Sequence, residues 1–519
     1  MSRNTVVILG IPIDNLNKEE TIGQIFSMIE DFKSTGIPSN VVTANVDFVV
    51  NTLKWGLKNS SHPELLDILR RADLVTPDGM PIVWTSKLLG TPLKERVTGA
   101  DLVPRIAEEA VKRGKSIYFL GGSEDSALKA AGTLTKYFPG LHIAGTGSPY
   151  VQIEGEALAE MEESDRPIIK DINKSGADIL FIGFGNPKQE LWYERNKSRL
   201  KVPVSIGVGG TFDFINGKVK RAPLWMQKSG MEWLYRISQD PKRLWKRYFV
   251  GFFKFGLIVL PSILYYRQRL MLFNLRHKKI APPQKNETLS IRSSRQTIEV
   301  LKMPERLDRV SMHYVFDKID NEISNSRHIV FDFSNTSFID SSGLGSLLEV
   351  WREMTRDNKN LSFIGINFHL RHFFELNRTW DLFKAITRDR IDDAMALLDE
   401  KDNIPPFYYS LDNEDNQKVL SLAGRLDAAQ IAALDINSLI NEIGMSNCIL
   451  NLDELNFVDS SGLVLFFRVQ KHLSTIGKKC VLCTLNKNIQ QVFHITKLNR
   501  LFNISKDLAS ARQVFEVVN

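Results

Sequence analysis

Five short polar clusters in the first half of the chain each follow an apolar, strand-like run. They are Thr43-Ala44-Asn45, Pro77-Asp78-Gly79, Gly121-Gly122-Ser123, Gly185-Asn186-Pro187-Lys188-Gln189-Glu190 and Gly209-Gly210-Thr211. Glycine lets a backbone N–H approach a phosphate closely, and Thr, Asn, Gln and Ser offer hydrogen bonds to sugar or base. Asp78 sits in a tight Pro-Asp-Gly turn, where its carboxylate either does chemistry or simply forms the turn. Gly and Asn end strands everywhere, so one such cluster says little. Five together make a nucleotide-type pocket.

The elements that must carry these clusters follow from the patterning. Apolar runs at Val6–Ile11, Val41–Thr43, Leu74–Val75, Ile117–Leu120, Ile179–Phe184 and Val204–Val208 alternate with stretches of helical period such as Glu19–Phe32, Ala100–Arg113 and Ser126–Tyr137. That alternation predicts an α/β domain over residues 1–240 with a largely parallel, Rossmann-like sheet. Ligands bind such sheets at the carboxyl ends of the strands, where the clusters lie.

At 519 residues, 43% of them apolar and 24% charged, the chain is globular and long enough for two to four domains. Cys448, Cys480 and Cys483 form no secreted disulfide framework, which points to a reducing cytoplasm. Cys480 and Cys483 read as buried thiols in an apolar strand rather than as a metal site. Residues 241–279 form a basic, aromatic appendage: between Arg236 and Lys279 eleven Lys/Arg face a single acid, Asp240. Within it Tyr248–Tyr266 is apolar apart from Lys254 and Pro261. Three roles remain open for it: a bilayer span, an element lying among lipid headgroups, or a buried core helix.

Residues 280–296 have linker composition, and an internal repeat follows. Arg306-Leu307-Asp308 recurs as Arg425-Leu426-Asp427, and Phe338-Ile339-Asp340-Ser341-Ser342-Gly343-Leu344 as Phe457-Val458-Asp459-Ser460-Ser461-Gly462-Leu463. Both motifs recur at the same offset, 119 residues, so residues 297–402 and 405–519 are two copies of one domain. An Asp-Ser-Ser turn before a helix is in itself an ordinary cap.

Seven segments in order, TANVDF (43–48), ADLVTPDGMPIVW (72–84), ERVTGADL (95–102), YFLGGS (118–123), GFGNPKQE (183–190), GVGGTFDFINGKVKRAP (207–223) and EWLYR (232–236), resemble the WecG/TagA/CpsF family of bacterial glycosyltransferases. The chain departs from the usual family spacing by several extra residues around Lys54–Ser61. The resemblance implies inverting transfer of a sugar, of N-acetylmannosamine type, from a UDP-sugar donor to a polyprenyl-diphosphate-linked acceptor at the inner face of the cell membrane. It implies Asp78 as the base, with Thr43 and Asn45 holding base or acceptor, although either could cap the next helix. Arg96 would neutralise a phosphate, Gly121 and Gly122 would meet the nucleotide, and Gln189 and Glu190 would bond uracil, ribose or sugar. Asp213 is either structural or a binding residue. Arg221, Arg236, Arg243 and Arg247 would reach the lipid diphosphate. The transferase half lacks an Asp-x-Asp motif, so chemistry without a metal or other cofactor is expected.

The repeats resemble the STAS domain of anti-sigma-factor antagonists, which implies phosphorylation of Ser341 and Ser460 by a serine kinase and docking of a STAS-binding protein. The expected whole is a peripheral membrane enzyme with tandem STAS control, possible oligomerisation and no nucleic-acid partner. The competing reading is an inactive membrane-tethered scaffold for a phosphorylation-dependent switch.

Overall fold

The computed structural model describes residues 4–52, 63–123, 125–151, 158–276, 288–292, 297–322, 328–356, 359–391, 393, 407–414, 417–426, 430–431, 434–458, 462–486, 489–490, 493 and 502–516. Two compact units emerge, Met1–Met395 and Ala396–Asn519. The transferase half, the basic appendage and the first repeat thus share one unit, a tighter association than the sequence divisions suggest.

The first unit begins with a hairpin of β1 (Thr5–Ile8) and β2 (Ile11–Asp14) rather than the single strand expected at Val6–Ile11. Leu9 and Gly10 both take positive φ, 51° and 84°, and two such residues make the reversal whose twist suits an antiparallel pair. Then come α1 (Lys18–Thr35), β3 (Ser39–Ala44), α2 (Val46–Asn51), α3 (Pro63–Arg71), β4 (Leu74–Pro77), α4 (Met80–Leu88), α5 (Gly99–Arg113) and β5 (Ser116–Gly121). They are followed by α6 (Ser126–Tyr137), β6 (His142–Gly147), α7 (Leu158–Ser175), β7 (Ile179–Gly183), α8 (Lys188–Asn196), β8 (Val204–Gly207) and α9 (Thr211–Ile215). Six strands pair in the order β4-β3-β8-β7-β5-β6, all parallel. Alternate residues feed opposite cores: Ile179 and Phe181 join one, Leu180 and Ile182 the other. Burial on both faces is why these strands read as unbroken apolar runs.

Two short helices, α10 (Leu224–Ser229) and α11 (Glu232–Gln239), lead into α12, a single helix over Pro241–Arg276. Its 36 residues run about 54 Å. By length and composition Leu244–Leu275 could cross a membrane. Yet Phe255, Val259, Ser262, Tyr266 and Phe273 are buried against the protein, while Phe249, Phe253, Leu257, Leu260 and Leu264 are more than half exposed. Two apolar faces explain why the sequence alone left its role open.

The first repeat carries a sheet in the order β15 (Thr387–Arg388), β14 (Asn360–Ile364), β12 (His328–Asp332), β10 (Thr297–Lys302) and β9 (Thr288–Arg292). β9 lies inside the expected linker, so the domain starts earlier than residue 297: Thr288–Arg292 pairs antiparallel with β10. A short parallel pair, β11 (Arg306–Leu307) and β13 (Phe338–Ile339), leads to α14 (Ser341–Arg356); α13 (Arg309–Glu322), α15 (Phe368–Leu376) and α16 (Trp380–Lys384) complete the repeat.

The second unit repeats this order with β16 (Tyr408–Glu414), β17 (Gln417–Leu426), β18 (Asn447–Asn451), β19 (Leu455–Val458), β20 (Cys480–Cys483) and β21 (Asn503–Ser505). In the first copy Pro304, without an N–H, separates β10 from β11; the second runs through as β17 with a register shift at Gly424/Arg425. The 119-residue offset holds in atomic detail. Asn367 Nδ2 donates to Thr336 O at 2.9 Å and Asn486 Nδ2 to Leu455 O at 2.6 Å. All three thiols are buried, and Cys448 pairs with Cys480 in register across β18 and β20.

Candidate active site

Parallel pairing sets the heart of the site. Ala44 and Pro77 are register partners at the ends of β3 and β4, so the next residues, Asn45 and Asp78, emerge side by side. The Asp78 N–H donates to Ala44 O at 2.8 Å, fixing the turn. Both line a cleft that also includes Arg96, Thr98, Glu232, Trp233, Arg236, Tyr248, Gly251 and Phe252. The roof is aromatic: Trp233 stacks edge-on to Phe252 with centroids 5.2 Å apart and meets Tyr248 at 6.3 Å.

Charges at the cleft are layered. Arg96 Nη1 lies 2.8 Å from Glu232 Oε2 and Arg236 Nη2 lies 3.1 Å from Glu232 Oε1. Arg221 Nη1 pairs with Asp101 at 2.7 Å, and the Thr98 hydroxyl donates to the same carboxylate at 2.8 Å. Burial pushes the Asp78 carboxyl up to about 7, against the pull of Arg236 and Arg96. Burial also works to raise Glu232, but Arg236 and Arg96 outweigh it and hold Glu232 below its ordinary value. The two acids therefore divide: Asp78 can exchange a proton near neutrality while Glu232 stays a fixed anion. Nε of Arg236, and Nε and Nη2 of Arg221, are buried without a hydrogen-bond partner. Such orphaned donors fit an anion.

Other expected residues take different posts. Thr43 is buried, and its hydroxyl donates to Gly207 O at 2.9 Å, tying β3 to β8. Asn45 lines the cleft but spends its side-chain oxygen as the N-cap of α2, accepting from the Asp47 N–H at 3.0 Å. Gln189 faces inward: its oxygen accepts from the Gly185 and Gly209 N–H groups at 3.2 and 3.0 Å, joining the β7 and β8 loops. Glu190 is likewise buried, with Asn186 donating to it at 3.1 Å and burial raising it to about 7. Both side chains brace the loops from the first turn of α8, which begins at Lys188, and Glu190 Oε1 is buried without a hydrogen-bond partner. Gly121 and Gly122 lie at the end of β5 with φ of 99° and 86°. Three strands separate β5 from β4, so these glycines stand about 19 Å from the Asp78 turn. Asp213 accepts from the Ser126 hydroxyl at 2.8 Å beside them.

A family model for the WecG/TagA/CpsF glycosyl transferases matches residues 6–269, half of the chain. The chain belongs to this family. STAS models match residues 292–394 and 408–511. Among relatives, a Bacillus spizizenii N-acetylglucosaminyldiphosphoundecaprenol N-acetyl-beta-D-mannosaminyltransferase is 29% identical over 240 residues, 46% of this chain and 85% of its own. The Bacillus subtilis protein of the same name is 32% identical over 259 residues, 50% and 92% of the two chains. Among solved structures, the phosphorylated form of the Bacillus cell fate determinant SpoIIAA covers 21% of this chain and 99% of its own, at 21% identity and a TM-score of 0.18.

Within this WecG/TagA/CpsF domain, the residues that sequence reasoning missed are Glu232, Asp101 and Tyr248. Glu232 opens the EWLYR segment and Asp101 lies in ERVTGADL, so both were inside matched motifs. What hid them was that their value lies in anchoring arginines brought from distant segments. In the STAS half Ser341 is buried, with its hydroxyl unpartnered, at the start of α14. Asp340 is buried too, and its Oδ1 accepts from the Ser342 and Gly343 N–H groups, both at 2.9 Å. Asp427, Asp459, Ser460 and the Lys54–Ser61 segment lie outside the described residues.

Proposed function

We propose that the protein transfers an N-acetylmannosamine-type sugar from a UDP-sugar to a polyprenyl-diphosphate-linked acceptor, with inversion, at the cytoplasmic face of the cell membrane. The observation that carries this reading is a proton-exchanging Asp78 beside Arg236, whose Nε is buried without a partner, under a roof formed by a helix whose outer face is apolar. As the acceptor hydroxyl attacks the anomeric carbon, its proton passes to Asp78. The bond from that carbon to the UDP oxygen breaks, and UDP leaves with the electron pair. Free guanidinium N–H groups of Arg221 and Arg236 suit a diphosphate, while the β5 loop with Gly121, Gly122 and the Ser126–Asp213 pair suits the nucleotide. Arginines and backbone amides carry the charge, so no metal enters this scheme. The names of the relatives support the acceptor, and the intact cleft favours an enzyme over an inactive scaffold. Mixing the purified protein with a panel of UDP-sugars and a short-chain polyprenyl-diphosphate-N-acetylglucosamine should release UDP with one donor; silence across the panel would favour the scaffold.

The outer face of α12 supports attachment to lipid. Phe253 is 68% exposed and Leu264 60%, and full burial of such side chains is worth about 1.5–3 kcal/mol each. Replacing Phe253, Leu257, Leu260 and Leu264 together by Ser should therefore abolish co-sedimentation with phosphatidylglycerol vesicles. Undiminished sedimentation would rule out this face as the anchor. The STAS repeats, on this reading, regulate or recruit the enzyme, with Ser341 or Ser460 as the phosphorylated residue.

A further inference from the structure

The two repeats share a fold but not a docking face. In both copies one glycine is demanded by the repeat itself. A Cβ on Gly343 would overlap the Leu307 carbonyl, and one on Gly462, 119 residues on, would overlap the equivalent Leu426 carbonyl. Gly345 is different. A Cβ there would overlap the carbonyl of Thr5, in the transferase hairpin strand β1. Its counterpart in the second copy is Val464. The three atoms nearest to that Cβ all belong to Thr5, so the seat for β1 requires Gly345.

A second contact repeats the pattern in charge. Arg70, on transferase helix α3, has a side chain only 1% exposed and reaches Asp381 of the first repeat at 2.9 and 3.1 Å. It also donates to the Arg378 carbonyl, and Arg378 in turn donates to the Thr52 hydroxyl at 2.6 Å and carbonyl at 2.9 Å. By the same offset, which matches Leu382-Phe383 to Leu501-Phe502, Asp381 corresponds to Arg500. An arginine there would take away the bidentate partner of the buried Arg70 and add repulsion, leaving it only Asp67 at 3.2 Å as a carboxylate partner.

The third contact is α12. Tyr265 Oη donates to His369 O at 3.1 Å, Arg269 to Ser337 O at 3.0 Å, and Phe273 packs on Phe338 with centroids 5.3 Å apart. The same helix carries Tyr248, Gly251 and Phe252 into the Asp78 cleft. α12 is one continuous helix from the repeat contacts to the cleft, with Pro261 between the two.

We infer that the first repeat is an in-chain clamp for the transferase, holding α12 over the active-site cleft, and that the second repeat, with Val464 and Arg500 at the docking positions, cannot replace it. The clamp stands on contacts that do not depend on which reaction is catalysed. Its effect on turnover rests on the proposed transferase activity.

The test uses the full chain with Asp381→Arg, Gly345→Val and the charge swap Arg70→Asp/Asp381→Arg, read by amide hydrogen exchange and by transfer rate. Each single variant should speed exchange across residues 255–273 by about tenfold or more and slow transfer, while residues 329–333 and 361–364 in the repeat's own core stay protected. The charge swap should return both readouts toward wild type. Unchanged exchange in α12 for both single variants overturns the clamp. So does faster exchange without any loss of transfer, which would leave the helix docked to no catalytic purpose. If Gly345→Val also loosens the repeat core, the swap decides, and its failure to restore α12 protection overturns the inference. Should the wild type move no sugar, the exchange results still decide the clamp, and the proposed activity fails separately.

Discussion

Asp78→Asn should slow sugar transfer by about 10³-fold, the usual worth of a well-placed general base, and at the same time should stabilise the fold above neutral pH. The two effects have one cause. The carboxyl is pushed up to about 7 by burial, so between its ordinary value of 3.8 and 7 the folded chain retains a proton that the unfolded chain has released. Stability therefore falls as pH rises through that window and levels off above it. At about 1.4 kcal/mol per unit the full cost is about 4–5 kcal/mol. Asparagine cannot ionise, so the variant's advantage in melting temperature should be absent near pH 3.5, grow from pH 4 to 7, and hold steady at pH 8. Wild-type transfer should follow the opposite course, rising with pH through about 7 as Asp78 becomes able to accept a proton. An Asp78→Asn variant that keeps wild-type turnover removes Asp78 from the mechanism. One that loses turnover without gaining stability at pH 8 means that the carboxyl is better solvated than the cleft implies.

The parts of this design that could be read in the sequence are those set by period and register. Alternating strand and helix segments announce a parallel sheet, and parallel order puts the strand-end clusters on one edge. Hence Asp78, Arg96 and Arg236 were all selected and do converge. Side-chain direction was not legible. Thr43 and Gln189 belong to the right loops, yet strand alternation turns the first into the sheet and the start of α8 turns the second beneath it. Leu9 at positive φ is a conformation that no residue type announces, so the hairpin was hidden in an apolar run. The helix α12 shows apolar residues on nearly every side because protein covers one face while the other is exposed. Sequence sees only the sum. Gly345 was visible as a mismatch with Val464, but a mismatch acquires meaning only once the Thr5 carbonyl is found opposite it.

Arg236→Met should move the acid limb of the transfer–pH profile upward by about one unit or more, since an adjacent cation ordinarily depresses a carboxyl by one to three. Arg236 is the foremost influence pulling Asp78 down against burial, ahead of Arg96. Removing it leaves Asp78 mostly protonated at neutrality, so the rate at pH 7 should fall about fivefold or more and recover in part by pH 9. Arg96→Met should shift the limb in the same direction by less. A lysine at 236 separates charge from shape. It keeps the cation that lowers Asp78 but gives up the guanidinium plane over Phe214, whose ring centroid lies 4.6 Å away. The limb should then stay near its wild-type position while the plateau drops, because a point charge offers fewer directed donors to a diphosphate than the guanidinium fork. If the methionine variant instead loses rate equally at every pH, Arg236 acts on the leaving group alone and the titration of Asp78 is set by burial. The direction of the limb, read beside its height, thus tells a residue that tunes the base from one that only binds phosphate.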